Sequence, residues 1–533
     1  MVVSTSHYAS DVGRDILREG GNAVDAAVAV GFALAVVHPA AGNIGGGGFM
    51  VIHDAAEGRD YTIDYREMAP AGAHRDMYLD EEGDVIPERS TVGYLASGVP
   101  GAVAGLHMAW KRFGRLPWKD LVEPSVHLAR EGFEVSDVFA RSLKNAAPLL
   151  ERFPESKRIF LKNGEFWEEG ETFRQPELAD TLQRIAEQGP DGFYRGETAR
   201  LIVQDMRANG GNITEEDLIN YQPQMRDPVT GTYRGYEIVS MGPPSSGGVI
   251  LVEMLNLIEP YPIEHLGYGS SRSVHLKAES MRRAFADRAE FLGDPDFTDL
   301  PTDALVSKGY AEQWKPSIDP QWASPSSYVS HADAYGYESE ETTHYSVVDA
   351  EGSGVAVTTT INAGYGSGVT VKGAGFLLNN EMDDFSSKPG HPNLYGLIQG
   401  EANAVGAGKR PLSAMTPTLV KKDGKLYMVL GSPGGPTIIN TVFQIIMNVV
   451  DHGMDIQEAV DAPRIHHQWL PDQIRAERDA LVMDVVHALQ NRGHRISYVG
   501  SIGDAHSVLI DPEDGVRYGA PDPRRGDAKA SGY

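Results

Sequence analysis

Two runs of alternating residues, 343–349 and 354–361, flank the turn-forming Ala350-Glu351-Gly352-Ser353, and this pair constrains the chain more than any other feature. Period-two alternation on both sides of a glycine-containing turn reads as an antiparallel hairpin. A register symmetric about Glu351 sets Thr360 directly opposite Thr342, and continued alternation puts Asn362 on the face of Thr360. Two threonines and an asparagine facing one another at a strand's start have two readings. Thr-Thr opens many strands for its β propensity and a turn hydroxyl alone. The other reading is a nucleophile with partners, provided that a base takes the hydroxyl proton. A backbone cut between Glu341 and Thr342 would supply that base as the new α-amine of Thr342. Such an amine titrates near pH ~8, close enough to neutrality for general-base work.

Composition narrows the rest. A chain of 533 residues ordinarily divides into roughly three or four domains. With 41% hydrophobic residues and 59 glycines it can bury a large core and make many tight turns. A net charge of -27 argues against a nucleic-acid partner and makes individual arginines interesting as sites for anionic groups. The absence of cysteine excludes disulfides, thiolate nucleophiles and cysteine metal sites. The most apolar run, 26–37, is about half of the roughly 20 residues a bilayer span needs, so it reads as a buried helix. Met1-Val2-Val3-Ser4 leads into a polar helical pattern with no secretory leader.

Along the chain, helices are expected over 8–20 and 22–37, then a glycine-rich turn over 40–48. That turn lacks the Gly-Lys-Ser/Thr ending of a phosphate loop, so backbone crowding at a core crossing explains it better. A strand pair follows over 49–53 and 61–65. Residues 100–314 read as mostly helical, broken by a strand over 230–240 and the turn Gly242-Pro243-Pro244-Ser245-Ser246-Gly247-Gly248, whose serines lack the Gly-x-Ser-x-Gly spacing of a hydrolase elbow. The charged helix over 275–291 is expected to have a solvated face. After Thr342 come strands, glycine turns and helices near 438–450 and 479–490. Helices, strands, strands, helices predict a layered α+β fold, an αββα sandwich.

Several side chains carry chemistry in this pattern. Arg66 follows a strand, and its guanidinium fork suits a carboxylate; a structural ion pair is the alternative. The acids of Leu377-Leu378-Asn379-Asn380-Glu381-Met382-Asp383-Asp384-Phe385 could form a calcium-like loop, a helix cap or an ammonium site. His466-His467 are adjacent, without the i, i+4 spacing of a helical zinc pair, so no metal and no cofactor are expected. Gly434-Gly435 stand between a strand over 427–431 and a helix from Pro436, where backbone N–H groups could meet an oxyanion or merely turn the chain.

Taken with Lys409-Arg410-Pro411-Leu412-Ser413, Gly431-Ser432-Pro433-Gly434-Gly435 and His466-His467-Gln468-Trp469-Leu470-Pro471, the Thr342 segment resembles the γ-glutamyltransferase (glutathione hydrolase) family, self-cleaving N-terminal-nucleophile hydrolases. The likeness runs to Tyr533 and implies a four-layer αββα sandwich of two interlocked segments, 1–341 and 342–533, which become large and small subunits of a heterodimer after cleavage between Glu341 and Thr342. It implies Thr342 as nucleophile, Thr360 as the residue that orients it, and Gly434 and Gly435 as oxyanion donors. It further implies Arg66 and Ser413 on the substrate α-carboxylate, Glu381 and Asp384 on the α-ammonium, Asn362 on the glutamyl moiety, and Tyr395 as gate of a lid over 388–406. The implied substrates are γ-glutamyl amides such as glutathione, with water, amino acids or peptides as acceptors, and neither nucleic acid nor membrane as partner. A periplasmic or extracellular location is also implied. The chain departs from the family in one place: Ser413-Ala414 stands where the family commonly has Ser-Ser. The same fold would serve a glutaryl-cephalosporin acylase or a poly-γ-glutamate-cutting relative, and an unprocessed, non-catalytic binding protein is the reading from another class.

Overall fold

The hairpin around Glu351 lies in the middle of a seven-stranded sheet in the computed structural model, which describes residues 1–329 and 342–533. Across this sheet the strands run Lys529–Ser531, Val2–Ser4, Thr343–Val348, Gly354–Thr360, Gly47–Asp54, Arg59–Asp64 and Gln224–Arg226, each antiparallel to its neighbours. Strands from both sides of Thr342 therefore share one hydrogen-bonded ladder. A second antiparallel sheet runs Arg517–Pro521, His506–Ile510, Lys425–Leu430, Thr418–Lys422, Tyr236–Ser240 and Val229–Tyr233.

Alternation along the central hairpin explains how the layers stack. Tyr345, Val347, Val355 and Val357 point out of the sandwich and pack under helices that include Ala23–Val37. Val348 and Ala356 point inward and meet Val429, Leu419 and Val508 of the second sheet. The outer face of that sheet is covered by the helices Gly247–Ile258, Ser271–Phe291 and Thr437–Val450. The order is helix, sheet, sheet, helix, as the pattern predicts.

The apolar run becomes the helix Ala23–Val37, opened by a reciprocal capping box between Asn22 and Asp25 and buried at all its positions. It is enclosed on every side, so it needs no polar face. Crowding likewise accounts for the glycine run: a Cβ at Gly45 would fall 2.1 Å from the Leu377 carbonyl oxygen, and one at Gly46 2.1 Å from that of Thr360.

Three expectations need correction. The single strand over 230–240 is a hairpin, Val229–Tyr233 and Tyr236–Ser240, turning at Arg234 and Gly235 with φ of 50° and 84°. The helix expected over 479–490 is Met483–Asn491, and the short helix Ile456–Asp461 precedes it. The charged helix, Ser271–Phe291, is buried from Ser273 to Arg288 and has no solvated face there. Part of its charge is paired within the helix. Glu279 accepts from Arg283 Nη1 at 2.7 Å and Arg282 Nε at 3.3 Å. Burial alone would raise the Glu279 carboxyl, but the two arginines hold it at about 2.

One buried acid on this layer has no cation. Glu253, in the helix Gly247–Ile258, is fully buried, and burial together with the nearby Asp287 charge pushes its pKa well above the ordinary value. Folding therefore costs more as pH rises above the unfolded carboxyl's ~4.3, because the native state keeps a proton that the unfolded chain releases. Glu253→Gln should raise the melting temperature at pH 8 by on the order of a few degrees, with the gain vanishing near pH ~4. Thermal unfolding at both pH values checks this; a variant no more stable at pH 8 would contradict it.

Candidate active site

Register is the first determinant of the site. Thr359 pairs with Thr343 and Gly354 with Val348, so the hairpin is symmetric about Glu351 and brings Thr342 opposite Thr360. Their hydroxyl oxygens lie 3.4 Å apart, Thr342 donating. Asn362 reaches the same pocket by another route than alternation. The strand ends at Thr360, and Asn362 turns back with φ of 73°, its N–H donating to Thr360 Oγ1 at 2.8 Å. Its side-chain amide donates to the Asn380 carbonyl at 3.0 Å, which links the Gly354–Thr360 strand to the acidic turn.

On the inward face below Thr342 stands a polar file. His344 Nδ1 lies 2.9 Å from Thr358 Oγ1 and Nε2 lies 3.1 Å from Ser346 Oγ. Burial pushes this imidazole well below its usual pKa, so it is neutral and donates through one nitrogen only. Its ring packs on Gly431, where a Cβ would come within 2.4 Å. Gly431 follows the strand Lys425–Leu430, and the chain then runs through Ser432-Pro433 into Gly434-Gly435. His344 thus sits between the start of the Thr343–Val348 strand and the glycine loop.

Both loop glycines need left-handed backbone, with φ of 129° at Gly434 and 52° at Gly435. Thr437 N and Oγ1 donate to the Gly434 carbonyl at 3.0 and 2.8 Å, opening the helix Thr437–Val450. Gly435 lines the pocket beneath the Tyr395 ring, where a Cβ would meet it at 2.9 Å. Gly434 stands one residue back, against Gly503.

The opposite wall is a buried charge cluster. Arg66 donates from one terminal nitrogen to Glu381 and from the other to Asp384, and its Nε donates to the Pro411 carbonyl at 3.2 Å. Glu67 lies 3.7 Å away on a third side. The arginine and the two acids, expected on different ends of a ligand, therefore hold one another in this state. Burial raises Glu67 to about 7 and raises Glu381 and Asp384 as well, although the Arg66 charge pulls all three down. The acids face the guanidinium, and Asp383 faces Ser90 and the Leu394 N–H, which leaves no calcium-like arrangement in this turn.

Ser413 lines the pocket from the loop before the strand Thr418–Lys422, with its Oγ accepting the Met415 N–H at 3.1 Å. The Gly242–Gly248 turn holds it there: Ser246 N and Oγ both donate to the Ser413 carbonyl, at 2.8 and 2.6 Å. The serines of that turn are braces. Arg288 Nε donates to Ser246 Oγ at 2.9 Å, and Arg288 also lines the pocket. It was hidden in the sequence because its helix reads as solvated. His344, by contrast, had a visible signal, since it follows Thr342 at the i+2 spacing of one strand face. Nine of the expected residues, Arg66, Thr342, Thr360, Asn362, Glu381, Asp384, Tyr395, Ser413 and Gly435, line one pocket. Glu341 lies outside the described residues.

Among the described residues one trio could in principle hold a metal ion, His275, Glu279 and His494. His275 Nδ1 is 2.8 Å from His494 Nε2, and Glu279 is taken by its arginines, so the trio is already saturated. His466 and His467 serve as local braces, to Asn440 and Gln468 and to Asp472 respectively.

A fold of two stacked antiparallel sheets with a threonine at the inner strand's start, facing a second threonine and an arginine-carboxylate cluster, has close counterparts. The chain belongs to the gamma-glutamyltranspeptidase family, whose profile matches residues 9–532. It is 49% identical to the glutathione hydrolase proenzyme of Escherichia coli (strain K12), over 100% of this chain and 92% of that one. A crystal structure of Helicobacter pylori gamma-glutamyltranspeptidase is 49% identical with a TM-score of 0.59, covering 60% of this chain and 92% of that chain. A cephalosporin acylase from Bacillus halodurans superposes with a TM-score of 0.88 at 28% identity, covering 100% of this chain and 95% of that chain.

The charge cluster makes a pH prediction. An ammonium group placed beside Glu381 and Asp384 favours the ionised forms of these carboxyls and of Glu67, all of which burial raises, so binding expels protons. Affinity for an α-amino acid head group, with L-glutamate as the probe, should rise with pH through about 7, where Glu67 titrates. Calorimetry in two buffers of different ionisation enthalpy should report proton release near pH ~6.5. Heats that do not depend on the buffer would put the ammonium elsewhere.

Proposed function

We propose that this chain is a proenzyme that cuts itself before Thr342 and then transfers γ-glutamyl groups from amides such as glutathione to water, amino acids or peptides. The observation that carries the reading is the Thr342–Thr360 hydroxyl contact, on the floor of a pocket whose far wall presents Arg66, Glu381 and Asp384. In the first step Thr342 Oγ attacks the carbonyl carbon of Glu341, the peptide C–N bond breaks as an ester forms, and water hydrolyses that ester. The freed α-amine of Thr342 then takes the hydroxyl proton as Oγ attacks a γ-glutamyl carbonyl. The Gly434 and Gly435 N–H groups donate to the developing oxyanion. The amine leaves with the transferred proton, and water or an acceptor amine takes the glutamyl group from the ester. Thr360, fixed by the Asn362 N–H, orients the Thr342 hydroxyl.

Recognition of the donor follows from charge. A glutamyl head is a zwitterion, and it can replace the internal pairing of Arg66 by putting its carboxylate on the guanidinium and Ser413 and its ammonium on Glu381 and Asp384. The names of the relatives support this choice, and the extent of the Helicobacter match, close to the share of this chain before Thr342, supports processing into two subunits. A periplasmic or extracellular location goes with the same reading and rests on resemblance. Freshly purified protein should run as two fragments, the smaller beginning Thr342-Thr343-His344 by terminal sequencing. Thr342→Ala should stay whole and inactive, and a cleaved, active Thr342→Ala protein would end the proposal.

A glutaryl acylase is the second reading, favoured by Ala414, which lines the pocket beside Ser413 with no hydroxyl, and by the shape of the Bacillus acylase. A glutaryl group has no ammonium, however, and would leave Glu381 and Asp384 facing only Arg66. Ala414→Ser adds a donor for a carboxylate without orphaning any protein group. It should lower KM for γ-glutamyl anilide roughly several-fold and leave thermal stability nearly unchanged. A KM that stays flat or rises for γ-glutamyl anilide while glutaryl anilide is turned over would favour the acylase.

A further inference from the structure

Of the three acids in the turn Glu381–Asp384, two face Arg66 and the third faces the other way. Asp383 is buried, with 4% of its surface exposed, and both of its oxygens are engaged. Oδ1 accepts from Ser90 Oγ at 2.6 Å, and Oδ2 accepts the backbone N–H of Leu394 at 2.8 Å. Ser90 belongs to the body of the protein. Leu394 immediately precedes Tyr395, whose ring lies over Gly435. Other ties hold the loop on either side of Leu394, Gln399 and Asn403 donating to the Asp384 carbonyl at 3.1 and 2.6 Å among them. Asn393 bonds its own loop at the Tyr395 and Leu397 N–H groups and reaches Asp384 Oδ1 at 3.3 Å, and Gln468 donates to the Tyr395 carbonyl at 3.3 Å. The Lys388–Asp84 pair is exposed. Beneath the loop lies a cavity of about 300 Å³ lined by Ile86, Ser90, Asp383, Asn393, Leu394 and Leu397. The segment around Tyr395 thus borders a void, and at Leu394, next to that void, its backbone is held by the buried Asp383 carboxylate.

We propose that Asp383 is the latch of the loop 388–406: its ionised carboxylate holds Leu394, and through it Tyr395, over the glutamyl pocket, and its protonation lets the loop loosen. Asp383 is a positioning residue, acting on the pocket only through the loop. A charged acceptor holds an N–H about twice as strongly as a neutral one, and a protonated carboxyl also gives up a lone pair to its own hydrogen. Geometry provides the switch, and the surroundings set its range. Burial raises the Asp383 pKa to about 6, against the lowering effect of its bonds to Ser90 and Leu394, and the neighbouring Asp384 charge adds to the rise. The other titratable groups facing it are Tyr78, from the segment packed below, and Glu88 and His391, across the cavity. Because the folded pKa lies above the ordinary 3.8, the latch is complete above about pH 6 and is lost as pH falls through that value.

The test uses the processed enzyme as wild type, Asp383→Asn and His391→Asn, with two readouts. The first is protease nicking within 388–406, normalised to a free peptide of the same sequence. Going from about pH 7.5 to about pH 5.5, nicking should accelerate on the order of 10-fold in wild type and equally in His391→Asn. Asp383→Asn should be nicked fast at both pH values. The second readout is KM for γ-glutamyl anilide, which rests on the donor-pocket reading above. Read at about pH 7.5 only, where the Thr342 amine and the carboxyls around Arg66 are in the same state in both proteins, it should be higher by a similar factor in Asp383→Asn than in wild type, with kcat at saturation held within roughly 3-fold. If Asp383→Asn does not fold, the wild-type and His391→Asn nicking curves decide the matter. Equal nicking at the two pH values, a rise abolished by His391→Asn, or an Asp383→Asn enzyme with a protected loop would each overturn the latch. Nicking as expected with KM unmoved would support the latch and count against the donor-pocket reading.

Discussion

The antiparallel pairing of Thr343–Val348 with Gly354–Thr360 is the constraint on which the site depends. Both faces of this hairpin are buried, one under helices and one against the second sheet, so a slip of one residue would drive every side chain into the wrong layer. The locked register then does chemical work at its open end. Thr342, His344 and Ser346 face inward in one file, with Thr360 and Thr358 opposite. Deeper in, the same face becomes apolar at Val348 and Ala356. Hydroxyls at the mouth and hydrocarbon below surround Thr342 with neighbours that cannot relax away from it.

Electrostatics supplies the other half. In a chain of net charge -27 the pocket gathers Arg66 with Glu67, Glu381 and Asp384, all inside the protein. A buried ion cluster of this kind adds little stability by itself, since desolvation offsets the attraction. In the proposed function its value lies in exchange: a zwitterion would take the place of the internal pairs at small net cost, while a ligand with only one charge would not. The Asp383 carboxylate, in the same four-residue turn, faces the loop above, so in the proposed function a single turn would both grip the ligand and fasten its cover.

Local pattern made much of this legible. The hairpin, its register and the four layers follow from alternation and a glycine turn, and the 45–48 glycines from crowding. Thr342, Thr360, Arg66, Glu381, Asp384, Tyr395 and Ser413 converge as the motifs imply. What local pattern could not show was tertiary. The helix Ser271–Phe291 has the charge of a surface helix, yet its arginines find Glu279, Ser246 and Asp472 far away in sequence or on the same buried face. Arg288 was lost with it. Asn362 falls on the expected side of the pocket because the backbone turns left-handed after Thr360, a conformation that asparagine tolerates and alternation does not predict. Asp383 looked equivalent to its neighbours until its partners, Ser90 and Leu394, were in place.

The central claim is that Thr342 carries the acyl group. Rapid quenching of the enzyme with a γ-glutamyl amide at low pH, followed by mass spectrometry of the intact fragments, measures this directly. The account predicts that the fragment beginning at Thr342 gains the mass of one glutamyl group, localised to that terminal residue and removed by a chase with hydroxylamine, which cleaves the ester. A glutamyl adduct on any other residue, or turnover with no adduct under conditions where deacylation is slowed, would contradict it.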